Sequence, residues 1–220
     1  MTLETQKQQT STRSANMARR RESILSQARN LIATEGFEAL KIRDLAKRSG
    51  VTVPTVYNLI GGKSEILAVI IEELVGRLQE AQEPVTAAHA DEIFEAQINR
   101  LAELFSTDEE YYRAAFIAGD HSGLFEQETD TGIFARSVQP LVDACREARR
   151  DGQLLGHVTA EQMGRQIYGC YRLARQDWTN GYFDLQTFRA QALTGIFLCL
   201  AADAEQSFRR RLLKRLSGFK

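Results

Sequence analysis

Between Ile42 and Asn58 the chain carries side chains suited to holding a polyanion and reading base edges. Val53, Thr55, Tyr57 and Asn58 bring methyls, hydroxyls and an amide to one short segment. Such groups meet thymine methyls, base edges and phosphates in a DNA major groove. Thr52 is placed to cap that segment by accepting the amide of Thr55. Pro54 falls in the first helical turn, where its missing N–H costs nothing and its fixed φ helps. Arg19, Arg20 and Arg21, with Lys41 and Arg43, can supply phosphate contacts. Lys63 opens a later helix, where its charge and free backbone N–H groups can jointly hold a phosphate.

No comparable set exists for catalysis. Gly119-Asp120-His121-Ser122-Gly123 sets a serine among glycines, yet the glycine spacing is wrong for a nucleophile elbow and no strand precedes it. An exposed loop over residues 119–132 is the better account. His89, His121 and His157 are too scattered for a metal site, and no glycine loop follows a strand to cradle a phosphate. No catalytic residue, cofactor or metal is therefore expected, and the chain is not expected to be an enzyme. Cys145, Cys170 and Cys199 lie far apart in apolar contexts, which argues against a disulfide framework and for free thiols in a reducing cytoplasm.

The elements that must position these residues are helices. The 220 residues include only three prolines, and apolar side chains recur at three- and four-residue steps. Charge divides the chain. Residues 1–62 hold ten Lys and Arg against five Asp and Glu, residues 63–205 hold twelve against 24, and residues 206–220 hold six bases and no acid. A basic head on an acidic body implies that only the head meets a polyanion. The basic tail reads as a solvated helix face. Residues 1–16, mostly Thr, Gln and Ser, read as a disordered lead-in without an apolar signal segment. The longest purely apolar run, residues 196–202, is too short to span a bilayer, so a soluble cytoplasmic protein is expected.

The spacing predicts a first helix from Asn16 to Glu35 and a second over Ile42–Ser49. A third follows Thr52 and ends near Ile60, and a fourth runs over Lys63–Ala81. Ala46 lets two helices cross closely, Gly50 supplies a turn with positive φ, and Val56 returns to their shared core; that is the helix-turn-helix pattern. Gln82 to Ala90 reads as a hinge. Further helices are expected near 91–106, 108–118, 133–151, 159–180 and 184–215.

On these residues the segment 17–67 resembles the N-terminal domain of the tetracycline-repressor (TetR) family. The matching pieces are Gly36-Phe37, Ile42 to Ala46, Gly50-Val51-Thr52, Thr55-Val56-Tyr57 and Lys63-Ser64-Glu65-Ile66-Leu67. Pro54, Leu59-Ile60 and Lys41 depart from the family pattern. The resemblance implies an all-α fold. A helix-turn-helix DNA-binding domain over 17–63 would precede a helical ligand-binding and dimerisation domain over 64–220. It implies a homodimeric regulator, usually a repressor, that binds a palindromic operator in double-stranded DNA and answers to a small-molecule effector. A ligand-independent architectural DNA binder is the alternative.

Within the body, Phe94, Phe105, Tyr112, Phe116, Tyr171 and Trp178 are candidates to line a ligand cavity. Ile167, Phe188, Leu193, Ile196, Phe197, Leu200 and Phe208 are candidates for the dimer interface, because the last helix is apolar around much of its girth and needs cover on both sides. The acidic body favours a neutral or cationic ligand over an anionic one.

Overall fold

The computed structural model describes residues 3–81, 87–125 and 132–219. Among them every regular element is a helix, apart from one isolated bridge between Leu154 and Ala204. The order is α1 (Leu3–Glu35), a 3-10 turn (Phe37–Ala39), α2 (Ile42–Arg48), α3 (Val53–Leu59) and α4 (Lys63–Ala81), then α5 (Ala90–Ser106), α6 (Glu109–Ser122), α7 (Ile133–Arg150), α8 (Ala160–Thr179), α9 (Leu185–Asp203) and α10 (Gln206–Leu216). The chain divides into two compact units, Met1–Leu74 and Val75–Lys220.

In the first unit the stripe of Ile24, Leu25, Ala28, Leu31 and Ile32 on α1 is buried, together with Leu45, Ala46 and Val56. Gly36, at φ 81, ends α1. The turn after α2 is closed by two bonds, Gly50 N–H to Lys47 O at 3.3 Å and Val51 N–H to Ala46 O at 3.0 Å. This pairing needs a left-handed residue between them, and Gly50 provides it with φ 64. Helix α1 starts at Leu3 rather than near Asn16. Residues 3–15 contain neither Gly nor Pro, so nothing in them stops a helix; the expected disordered lead-in is helical from residue 3.

In the second unit α8 packs on α7 and α9, while α5 and α10 pack on α9. Two glycines permit the close approaches. A Cβ at Gly164 would stand 2.7 Å from Val142 Cγ2, and one at Gly195 would stand 2.7 Å from Cys170 Cβ. Phe105 stacks on Trp178 with centroids 4.9 Å apart, and Tyr112, Phe116 and Phe188 close around Phe105. By length and composition α9 could cross a membrane, but its Phe188, Leu193, Phe197 and Leu200 are buried in this core.

Three expectations change in the second unit. The helix expected over 184–215 breaks at Ala204. Leu155 N–H donates to Asp203 O at 2.8 Å, Glu205 N–H donates to Gln153 O at 2.9 Å, and the buried Asp203 carboxylate takes the amides of Gly156 and His157. The chain after α7 thus captures the backbone at the break. The basic tail is not merely solvated: Arg211 and Arg215 both pair with Asp91, which is 0% exposed, and reach Glu92 and Glu95. Residues 119–122 continue α6 rather than forming a loop, because Gly119 is buried against Phe125 and the left-handed residue that ends the helix is Gly123. Residues 126–131 and most of the expected hinge, 82–86, lie outside the described residues.

Candidate nucleic-acid interface and ligand cavity

Helix α3 is a seven-residue rod held at its start by its own sequence. Thr52 Oγ1 accepts the amide of Thr55 at 3.4 Å and lies 2.8 Å from Thr55 Oγ1, while Pro54 occupies the second helical position. A cap of this kind stabilises a helix by about 1 kcal/mol, a large share for so short an element. Val56 is the buried anchor. Thr52, Pro54, Tyr57 and Asn58 are exposed, and Val53 and Thr55 are half-buried. Val56 thus faces the core, and Pro54, Tyr57 and Asn58 line the exposed surface of the rod.

Arg19, Arg20, Arg21, Lys41 and Arg43 are all exposed. Lys63 is differently engaged. Its ammonium pairs with Glu38 at 3.3 Å and sits 4.4 Å from the centroid of the Phe37 ring. The amide of Gly62, at the start of α4, donates to Glu65 Oε2 at 2.9 Å. A phosphate at this corner therefore competes with Glu38 and Glu65 for the groups that sequence reasoning left free.

A narrow cavity lies within the second unit, with about 50 Å³ open to the centre of a water molecule. Helical spacing aims its walls inward. Val75, Leu78 and Gln79 come from α4, and Phe94, Gln97, Ile98 and Leu101 from α5. Helix α7 gives Ile133, Arg136, Ser137 and Leu141, and α8 gives Ile167, Tyr168, Tyr171 and Arg175. Of the six aromatics expected here, Phe94, Phe116 and Tyr171 line the cavity. Phe105, Tyr112 and Trp178 do not; they form the packed aromatic cluster, with Trp178 0% exposed and its indole N–H donated to Glu109 at 3.2 Å. Burial pushes the Tyr171 hydroxyl well above its usual range, so it remains a neutral donor.

Sequence reasoning missed the arginines. Arg175 is 2% exposed and its Nη2 donates to Asp120 Oδ1 at 2.8 Å. Its guanidinium lies 4.5 Å from the Phe116 centroid and 5.2 Å from that of Phe125. One signal was available: Arg175 follows Tyr171 by four residues and Ile167 by eight, so it shares their inward face.

The seven residues expected at a dimer interface are all buried inside the protomer, the most exposed being Phe208 at 4%. They close the protomer's own core rather than standing on its surface. On the same two helices the outward residues include Gln166, Gly169 and Leu173 of α8, and Gln191, Leu198 and Ala202 of α9. Leu173 is 62% and Leu198 54% exposed. Cys170 Sγ and Cys199 Sγ lie 3.7 Å apart between these helices.

A helix-turn-helix with a capped, outward-facing second helix is thus followed in the chain by an all-helical unit with its own cavity. The family described as bacterial regulatory proteins, tetR family, matches residues 24–70. No curated protein matches the sequence. Among solved structures, a TetR-family transcriptional regulator from Pectobacterium atrosepticum is 19% identical, with a TM-score of 0.67, covering 87% of this chain and 97% of its own. SmeT, the repressor of the Stenotrophomonas maltophilia multidrug efflux pump SmeDEF, is 20% identical with a TM-score of 0.66, covering 86% of this chain and 92% of its own. A γ-butyrolactone receptor, an ArpA-like protein, is 13% identical with a TM-score of 0.62 over 93% of this chain and 97% of its own. The N-terminal segment thus matches the tetR family of bacterial regulatory proteins, and the all-α fold of the chain is similar to that of TetR-family regulators of known structure.

Proposed function

We propose that the protein is a homodimeric repressor, acting in the cytoplasm, that leaves a palindromic operator when a small molecule fills the cavity. DNA reading belongs to residues 17–63, ligand binding and dimerisation to residues 64–220. One observation supports the coupling above others. Helix α4 is continuous from Lys63, next to the helix-turn-helix, to Val75, Leu78 and Gln79 in the cavity wall. A guest that presses on the wall displaces the same rod that borders the DNA-reading helices. Successive major-groove faces lie about 34–36 Å apart, so a changed separation of two recognition helices lowers affinity without altering a base contact. The similarity to a γ-butyrolactone receptor and to an efflux-pump repressor supports a ligand-responsive role.

The dimer forms through the outward faces of α8 and α9, where Leu173 and Leu198 stand exposed beside Gly169 and Ala202. Large apolar side chains next to small ones let two helix pairs approach closely.

The test is a titration on the operator. The protein should protect a short symmetric site, with affinity falling steeply as salt rises. Tyr57→Ala and Lys63→Ala should each weaken binding while the dimer persists. Unchanged affinity in both variants would refute the assignment of this face. Protection without sequence preference would favour an architectural role instead.

A further inference from the structure

The cavity's polar groups set the chemistry of its occupant, an inference that rests on reading this cavity as the effector site. We propose that the ligand is a slender, largely apolar molecule bearing one carboxylate, and that the Arg175 guanidinium receives that carboxylate.

Arg175 is the anchor because it is buried and only partly satisfied. Nη2 is donated to Asp120, but Nη1 is buried and has no hydrogen-bond partner among the described residues. A guanidinium cannot shed its proton to escape this cost, so a buried N–H aimed into a cavity favours a guest that brings an acceptor. The rings of Phe116 and Phe125 hold the guanidinium in place, so its fork is oriented before a guest arrives. A carboxylate satisfies the remaining Nη1 donor better than a neutral carbonyl does, because both partners of the bond are then ionised.

Charge in the lining agrees. Arg136 and Arg175 both line the cavity, and no Asp or Glu does among the described residues. The donors Tyr168 and Tyr171 precede Arg175 on α8 by about two turns and one turn. Gln79, Gln97 and Ser137 add a few further polar groups, and the rest of the wall, with Phe94, Ile98, Leu101, Leu141 and Ile196, is apolar and suits a hydrocarbon body. The space is narrow, so an unbranched chain enters with the least displacement. The acidic balance of the body, which by itself favours a neutral or cationic ligand, is misleading at this site. Asp91, Glu92 and Glu95 are committed to Arg211, Arg215 and Arg189 instead.

Calorimetry on the full chain without DNA tests the inference with three probes of equal chain length: decanoate, decan-1-ol and decyltrimethylammonium. Decanoate should bind with one site per protomer and at least tenfold more tightly than decanol, and the ammonium probe should give no saturable binding. The double variant Arg175→Gln with Asp120→Asn keeps a neutral hydrogen-bonded pair. It should reduce decanoate to the affinity of decanol while leaving decanol unchanged. Decanol or the ammonium probe equalling decanoate, no binding of decanoate, or full decanoate affinity in the double variant would each overturn the inference. If the double variant fails to fold, the three-probe comparison on the native protein decides alone. Operator affinity is measured separately. Decanoate bound with unchanged DNA affinity defeats ligand-driven release and leaves the ligand class standing. Release by decanol alone does the reverse.

Discussion

The two units use charge in opposite ways. In the first, Arg19, Arg20, Arg21, Lys41 and Arg43 lie at or near the surface, and no acidic partner holds them among the described residues. In the second, arginines are drawn into the fold: Arg175 with Asp120, Arg189 with Glu95, and Arg211 and Arg215 with Asp91. An exposed cation keeps its counterions near DNA until a phosphate takes their place, and counterion release drives the binding. A paired, half-buried cation has exchanged its water for a carboxylate and has little left to offer a phosphate. The basic tail has six bases to the head's ten, yet two of its arginines serve as staples for α5 rather than as a DNA contact. Local charge count alone does not distinguish the two uses.

Replacing Arg19, Arg20 and Arg21 together with Ala is the strongest way to break this contrast. Operator affinity should fall by roughly a hundredfold or more at moderate salt, and the salt slope should flatten by about one unit for each phosphate no longer neutralised. Fluorescence anisotropy across a salt series reads both. The corresponding change in the tail, Arg209→Ala with Arg210→Ala, should leave the slope unaltered; a slope change as large as the head's would erase the distinction between head and tail.

Next in size are changes inside the second unit. Asp91→Ala leaves the paired arginine heads without their shared buried partner. Breaking a buried pair costs about 3–5 kcal/mol, and the partial exposure of Arg211 and Arg215 brings the expectation to about 2 kcal/mol. A thermal melt should show the loss, while any dimer that remains folded should bind operator normally. Leu173→Arg with Leu198→Arg places charge on the outward face of α8 and α9 without touching the core. Sedimentation should then report monomers with unchanged helicity, and a persistent dimer would send the interface elsewhere.

Smaller effects sharpen the comparison. Gly119→Ala sets a methyl into the space of the Phe125 ring, so the ring must leave its place over Arg175. Overpacking of this kind costs about 1–3 kcal/mol and should also weaken the cavity's guest. Thr52→Ala removes the α3 cap and should cost about 1 kcal/mol of stability. Among the thiols, hydrogen bonding to Cys199 lowers Cys170 to about 7, whereas burial raises Cys145 to about 12. In the monomeric variant, alkylation of Cys170 should accelerate as pH rises through about 7, the range where its thiolate forms, and Cys145 should stay inert. Mass spectrometry of labelled peptides separates the sites.

Much of the proposed DNA-reading unit was legible because its determinants are local. The Thr52 cap, Pro54 in the first turn, the Gly50 turn and the buried Ala46 and Val56 act within a few residues of one another. The cavity was half legible. Aromatic spacing found Phe94, Phe116 and Tyr171 but could not separate them from Phe105, Tyr112 and Trp178, since wall and core share the same helical faces.

Periodicity and capping chemistry thus determined the helices, the turn between α2 and α3 and the outward set on α3, all from interactions within one or two turns. Tertiary structure alone decided which neighbour each apolar stripe would meet. It turned Ile167, Phe188 and Phe197 inward and left Leu173 and Leu198 outside. It broke α9 from α10 by bonding Leu155 to Asp203 and Glu205 to Gln153, and it joined Arg175 to Asp120 across 55 residues. A stripe records that a face must be covered and a charge that it must be balanced; the partner in each case is chosen by packing between segments distant along the chain.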